Sequence, residues 1–319
     1  MRIVPTAFFL ALLCLLPHVS MAQEPPMPPG PPGPPTTGTG ACTIHGPVLG
    51  PVDYGMRAGA VLADTSAVRL GDGRVRLYTF AEGLGIVSAI SLTADGLAFV
   101  PEAGARLPDG SGMPRVVAIP GGGLRIFYTS AGGIKSAVSA DGLTFTLEPG
   151  VRLTAAAAGF GTTIAAATSG ATVVRLADGR FRMYFSDLPR PGDPAGQHLV
   201  KSAVSTDMLA WTVEAGVRLG AGAAVLTGSA EHPFALANPD GSVTLYYGKF
   251  GAPGSPEGAY QSTSIDGLTF EQETLDVFFG NDPDAVRLAD GTLLLYYGGF
   301  DPRVGGTINV AQCPDPTLP

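Results

Sequence analysis

The chain has 319 residues, of which 45 are glycine, 29 are proline and only 14% are charged. Gly and Pro weaken helix interiors by about 1 and 3 kcal/mol each, so this composition excludes a helical bundle and favours many short strands joined by tight turns. The formal net charge is −8, and the 16 arginines and three lysines form no basic cluster, which argues against a nucleic-acid partner.

The first residues read as a leader. Arg2 precedes an apolar run from Ala7 to Leu16, and Ser20-Met21-Ala22 places small residues where a signal peptidase reads. Residues 1–22 are therefore expected to be a signal peptide, and the mature protein to be secreted or periplasmic. Leu13 stands where a lipoprotein signal needs a small residue before its cysteine, and no other apolar run is long enough to span a bilayer. Residues 23–40 include Pro-Pro-Met-Pro-Pro-Gly-Pro-Pro-Gly-Pro-Pro, which can build neither ladder nor core and reads as an extended spacer of about 3.1 Å per residue.

Residues 41–319 are repetitive. Turn glycines Gly73, Gly122, Gly179, Gly241 and Gly291 are each followed five residues later by an aromatic: Tyr78, Phe127, Tyr184, Tyr246 and Tyr296. Asp precedes the glycine in four copies, at Asp72, Asp178, Asp240 and Asp290, and an Asp-Gly pair between strand-like runs predicts a reversed-twist hairpin turn. A second element repeats in phase, Ser-Ala-Val-Ser-Ala-Asp-Gly-Leu-Thr-Phe from Ser136 to Phe145, with copies ending at Phe99, Trp211 and Phe270. Each unit predicts four strands over the roughly 40 to 60 residues of a propeller blade. The expected fold is all-β, a five-bladed β-propeller, with the alanine-rich stretch from Thr154 to Thr168 as a loop insertion. The repeated aromatics and Trp211 belong to its core.

The last unit, from Asp282 through Val310, lacks a fourth strand, whereas Ala41 to Gly55 precedes the first complete unit. The N-terminal segment is therefore expected to close the ring. Cys14 leaves with the leader, and Cys42 and Cys313, at the two ends of the repeat region, are expected to form a disulfide in an oxidising compartment.

In a propeller the residues that open each inner strand surround one shared mouth. They are Asp64-Thr65-Ser66, Met113-Pro114-Arg115, Ser169-Gly170-Ala171-Thr172, Glu231-His232-Pro233 and Asn281-Asp282-Pro283-Asp284. Unlike charges at equivalent positions of a repeat mark a candidate site. Paired His spacing, Cys-x-x-Cys and an oxygen-rich calcium loop are missing from the sequence, so no metal or other cofactor is expected. Tyr54, Phe160, Phe250 and Phe300 are the aromatics outside the repeat pattern that could stack on a sugar.

The run from Asn281 to Gly291 and the Glu231-His232-Pro233 triplet resemble the five-bladed propeller glycosidases of the arabinanase, β-xylosidase and invertase type. That resemblance implies an Asp base from the first blade, a Glu acid from the fourth and an Asp from the third that tunes the acid. Asp64 and Glu231 take the first two places. Ser169 to Thr172 offers no acid, and Asp282 is the substitute. Arg115, His232 and Asp284 are the candidate substrate contacts. The expected activity is inverting glycoside hydrolysis of a carbohydrate or glycoconjugate by a monomer. The alternative is a non-catalytic propeller that binds a glycan or protein through the same mouth. A sialidase is disfavoured, because the Ser-x-Asp-Gly-Leu-x-Phe turns run one residue short of Asp-box turns and the units number five, not six.

Overall fold

The computed structural model describes residues 42–161, 168–187, 198–249, 255–301 and 303–315. Residues 1–22 and 23–40, the expected signal peptide and spacer, lie outside the described residues, as does Phe250. Blade one comprises the antiparallel strands Leu62–Arg69, Val75–Ala81, Gly85–Ser91 and Phe99–Leu107. Blade two comprises Gly112–Ala118, Leu124–Ser130, Gly133–Ser139 and Thr146–Leu147. Thr168–Arg175, Phe181–Asp187, Leu199–Ser205 and Thr212–Val213 form blade three, where Leu219–Gly220 also pairs with the third strand. Blade four holds Glu231–Ala237, Val243–Lys249, Gly258–Ser264 and Thr274–Phe278. Blade five holds Asn281–Arg287, Leu293–Asp301 and Gly305–Cys313, with Thr43–Leu49 as its outer strand. Inner strands pack side by side in cyclic order, and that of blade five returns to that of blade one. This is a closed five-bladed propeller.

The five glycine turns share one hydrogen-bond pattern, and the four Asp-Gly copies differ from the reversed-twist corner expected of them, while in blade two Gly121 is left-handed as well. In blade one the Gly73 amide bonds the Leu70 carbonyl and the Leu70 amide bonds the Arg74 carbonyl, with the same pair at the other four turns. Gly73 has φ +90° while Asp72 is not left-handed. That is a three-residue loop, a turn followed by a left-handed glycine. Asp72 uses its carboxylate to cap the Arg74 amide, a local bond that favours the turn over a continued strand.

The repeated aromatics are fully buried and face the neighbouring blade. Tyr78 meets Phe145, Phe127 meets Trp211, Tyr184 meets Phe270 and Tyr296 meets Phe99, each edge to face at 5.8–6.3 Å between ring centres. Tyr78, Tyr184 and Tyr296 also donate their hydroxyls, at 2.8 Å, to the carbonyls of Gly142, Gly267 and Gly96 in the next blade's Asp-Gly-Leu turn. A Cβ at any of those three glycines would lie 2.6 Å from the tyrosine oxygen. Where the aromatic is Phe127 and carries no hydroxyl, the turn holds buried Met208 in place of glycine. The repeat thus varies as a unit across each seam.

Charged clasps reinforce three seams. Arg76, Arg125 and Arg182 pair with Glu102, Glu148 and Glu214 of their own blades at 2.7–2.9 Å and reach the carbonyls of Asp141, Asp207 and Asp266 in the next. The alanine-rich insertion carries one helical turn, Ala155–Ala158, capped by Thr154 at its start and by left-handed Gly159 at its end.

The N-terminal strand pairs with Gly305–Cys313 along five registered positions, and Cys42 is bonded to Cys313 with Cα atoms 4.1 Å apart. Because the bond spans 271 residues of chain, loss of both cysteines should destabilise the ring by about 5 kcal/mol in the loop-entropy account. Denaturant midpoints of the Cys42→Ser/Cys313→Ser protein would test this, and an unchanged midpoint would contradict it.

Tyr246 breaks the seam pattern. The outer strand of blade five has no Asp-Gly-Leu turn, and the Tyr246 hydroxyl is buried with no hydrogen-bond partner among the described residues. Removing a bonded hydroxyl costs about 1 kcal/mol, whereas removing an orphaned one costs nothing or stabilises. Thermal melts should therefore show Tyr78→Phe, Tyr184→Phe and Tyr296→Phe below the parent and Tyr246→Phe level with it or above.

Candidate active site

The five inner strands open with the same device. Register slips between Ala63 and Ser66, Gly112 and Arg115, Ser169 and Thr172, Glu231 and Phe234, and Asn281 and Asp284 place a bulge at one end of every blade. Within each bulge one residue is left-handed: Asp64, Met113, Gly170, His232 and Asp282, with φ between +47° and +60°. For residues other than glycine this conformation costs about 1–2 kcal/mol, and a bulge re-aims the side chain it carries. Three of these five positions bear ionisable groups, and they gather at the ring's axis.

Arg115, from blade two, occupies the centre. It is 3% exposed, and its guanidinium donates to the carbonyls of Thr65 in blade one at 2.7 Å and of Pro233 and His232 in blade four at 3.2 and 3.3 Å, with Pro283 of blade five at 3.5 Å. The planar five-donor fork suits carbonyls that converge from several directions. Its charge also favours the ionised forms of Asp64, Asp282 and Asp284.

Around this cation sit three coupled groups. His232 Nδ1 is in direct contact with Asp282 Oδ1, and Asp282 shares a hydrogen bond with Asp64. Burial alone would depress the imidazolium, but the Asp282 carboxylate outweighs it and His232 is pushed up to about 9. Asp282 in turn, despite its burial, is held below the usual carboxylate range by His232⁺ and Arg115. Asp64 is raised from 3.8 to about 7, first by burial and then by the Asp282 charge. Although deep in the ring, Asp64 is only half-buried by surface area, so it is the member of the trio that water reaches.

Glu231 lies beside this trio. It pairs with Gly248 and so holds the register of Ala63 and Asn281, one residue ahead of Asp64 and Asp282 in their own strands. Burial raises its proton affinity and Asp282 and Asp187 add to it, while His232 and His198 oppose. Asp187 ends the second strand of blade three, bonded to His198 Nδ1 at 3.0 Å and to the Leu199 amide at 3.1 Å. Blade three therefore brings a carboxylate to Glu231 from the end of its second strand and not from its inner-strand start. Its signal in the sequence is weak: Ala81, Ser130, Lys249 and Gly299 hold the same place in the other blades.

Asp284 is fully buried and turned inward. Its carboxylate leans on the Ala67 amide and the Ser66 hydroxyl of blade one without full hydrogen-bond geometry, and burial pushes it up to about 7. Ser66 and Thr172 make the corresponding link to the next blade, accepting from the Val116 and Ala235 amides at 3.0 Å. Among the stacking candidates, Phe160 packs on Phe185 and Lys201, Tyr54 packs against the core, and Phe300 is exposed.

Asp64, His232 and Asp282 bring donor atoms within 4.8 Å of one another, the one such grouping among the described residues. A cation would need their lone pairs to converge on a shared point. They are directed at each other through protons instead, so the grouping reads as a proton-bound cluster.

No family model matches the chain, and no curated protein matches it. Solved structures do. An endo-arabinase from Bacteroides thetaiotaomicron VPI-5482 aligns with a TM-score of 0.59 at 16% identity, over 86% of this chain and 98% of that one. A thermostable family-43 glycoside hydrolase gives 0.59 at 13% identity, over 82% and 93%. The fold is theirs. An endo-1,4-beta-xylanase from the same Bacteroides strain gives 0.58 at 15%, over 84% and 92%. The resemblance read from the strand starts is thereby met at the level of the fold, a five-bladed propeller. Among the described residues no helix is long and apolar enough to cross a membrane.

The buried groups fix how stability responds to pH. Asp64, Asp276 and Asp284 hold protons up to about 7 in the fold but only to about 3.8 in the open chain, so stability falls as pH rises between those values. The His232 contribution is complete below its ordinary 6.5 and is lost as pH rises through about 9. Asp141 and Asp266, held at about 2 by the amides they cap, act oppositely: their contribution is present above 3.8 and lost as pH falls through about 2. Melting temperature should therefore peak near pH 4–5 and decline toward pH 9, and a maximum at neutral pH would contradict this set of buried protons.

Proposed function

We propose that this chain is a secreted glycoside hydrolase of inverting type, with Glu231 as acid and Asp64 as base. The observation that carries the reading is that both carboxylates gather at one end of the ring with raised proton affinity, Glu231 buried and Asp64 in reach of water. Inverting hydrolysis needs one carboxyl that still holds its proton to give to the leaving oxygen. It needs another that takes a proton from water on the opposite face of the sugar.

In this mechanism water beside Asp64 loses a proton to the carboxylate and attacks the anomeric carbon as Glu231 protonates the departing oxygen. Asp282 remains ionised and keeps both neighbours' proton affinity high, with Asp187 adding to that on Glu231. The Nε2 of His232 is buried without a hydrogen-bond partner among the described residues, so His232 acts on the carboxylates through its charge. Arg115 and Asp284 act at one remove, holding the carbonyls and inner strands that aim these groups. Secretion is supported by the Cys42–Cys313 bond together with the leader-like residues 1–22.

A second reading, a glycan- or protein-binding propeller without turnover, is favoured by one contact: Asp64 is already bonded to Asp282, which engages the base. Kinetics on arabinan, xylan and aryl glycosides separate the two. Glu231→Gln should lower turnover of natural glycosides by about 10²–10⁴-fold while sparing activated aryl glycosides, and Asp64→Asn should lower both. The acidic limb of the pH profile should fall near 7, the value at which Asp64 gives up its proton. Unchanged hydrolysis by Glu231→Gln would refute the assignment. Binding without turnover across the panel would favour the second reading.

A further inference from the structure

A groove of about 620 Å³ runs over the rim of blade five, on the same end of the ring as Asp282. Phe279, Phe300 and Tyr297 supply its rings, and Asp53, Asp301 and Asn309 its polar groups. Phe279 is 74% exposed and Phe300 67%. Burying a phenylalanine is worth about 1.5–3 kcal/mol, so two exposed rings lining one groove mark a surface that is covered in use.

Phe279 is also held in a left-handed conformation, φ +55°, anchored by its amide on the Glu257 carbonyl. A bulky residue with positive φ is an outlier that costs of order 1–3 kcal/mol and persists where it serves function. The next residue is glycine because a Cβ at Gly280 would lie 2.9 Å from the Tyr297 ring. Asn281 and Asp282 follow at once, and Asn281 pairs with Gly298, two residues before Phe300. The groove and the candidate site therefore share one stretch of backbone on each of two adjacent strands.

We infer that this groove is a subsite for a neutral, extended oligosaccharide whose reacting end lies over Asp64 and Glu231. The inference rests on the hydrolase reading for that reacting end alone. A sugar offers C–H faces to rings and hydroxyls to carboxylates and amides. The Asp53 and Asp301 carboxylates already accept from the Gly50 and Arg303 amides, and their remaining lone pairs face the groove, where a sugar's hydroxyls can donate to them and an apolar peptide or a second copy of the chain would only remove water from them. Acidic glycans are disfavoured because the lining includes two carboxylates and no basic side chain.

Calorimetric titration of the Glu231→Gln protein with neutral xylose, arabinose, mannose and glucose oligosaccharides, from disaccharide to hexasaccharide, tests this. Affinity should rise with length, and Phe279→Ala or Phe300→Ala should each remove about tenfold from the longest ligand and nothing from the disaccharide. Phe279→Gly should lose the same affinity while raising the melting temperature, because it relieves the positive φ. Length dependence that survives the double Phe279→Ala/Phe300→Ala change would overturn the inference while leaving turnover, and the hydrolase reading, intact. Ring-dependent binding by a wild-type protein without turnover would uphold the groove and reject the hydrolase. Absence of binding to every oligosaccharide, or a lower melting temperature with unchanged affinity in Phe279→Gly, would overturn the groove.

Discussion

Everything at the mouth of this propeller is arranged around one buried cation. Arg115 cannot lose its proton, and an unpaired guanidinium in a protein interior costs several kcal/mol. The ring meets that demand with carbonyls from blades one, four and five and with aspartates from blades one and five. Five strands converging on an axis leave carbonyls that no neighbour satisfies, and a single forked donor from one blade answers several of them. The same cation sets the local field in which the carboxylates titrate. Asp282 keeps its charge, Asp64 sits near neutrality and Asp284 is left to hold a proton.

The seams between blades follow a different logic, one of matched local choices. A tyrosine hydroxyl meets a glycine carbonyl, and a phenylalanine without the hydroxyl meets a methionine side chain. Where the outer strand comes from the N-terminus there is no turn to meet, and Tyr246 is left with an orphaned oxygen. The irregularity falls where two chain ends have been joined to make one blade.

These seams explain what was legible in the sequence. Turn glycines, the aromatics five residues on and the Asp-Gly-Leu turns are encoded within a few residues and repeated, so the blade count, the composite fifth blade and the Cys42–Cys313 bond could be read from spacing. The turn class could not, because Asp-Gly serves both a two-residue corner and the three-residue loop found here, and only φ distinguishes them. At the site, Asp64, Glu231, His232 and Asp282 were visible as unlike residues at like positions. Invisible were the one-residue stagger that the bulge imposes on Glu231 and the inward turn of Arg115 and Asp284. Asp187 reaches Glu231 from the end of a second strand, and Phe279 is not among the aromatics that the repeat pattern singles out. These features depend on strand register or on contacts between residues distant in sequence, and a linear pattern carries no record of either.

The strand that completes the last blade is the first part of the propeller to be synthesised, and its partner is the last. Blades one to four can each pair from contiguous chain, whereas the final pairing joins positions 271 residues apart. Loop-closure entropy grows only logarithmically with length, so the cost at equilibrium is modest, but contacts this distant in sequence form late. Until they form, the chain is an open arc whose two end blades present unpaired edges to any other strand. A ring that cannot close until its last strand is made is most exposed to mispairing in the interval between synthesis and closure.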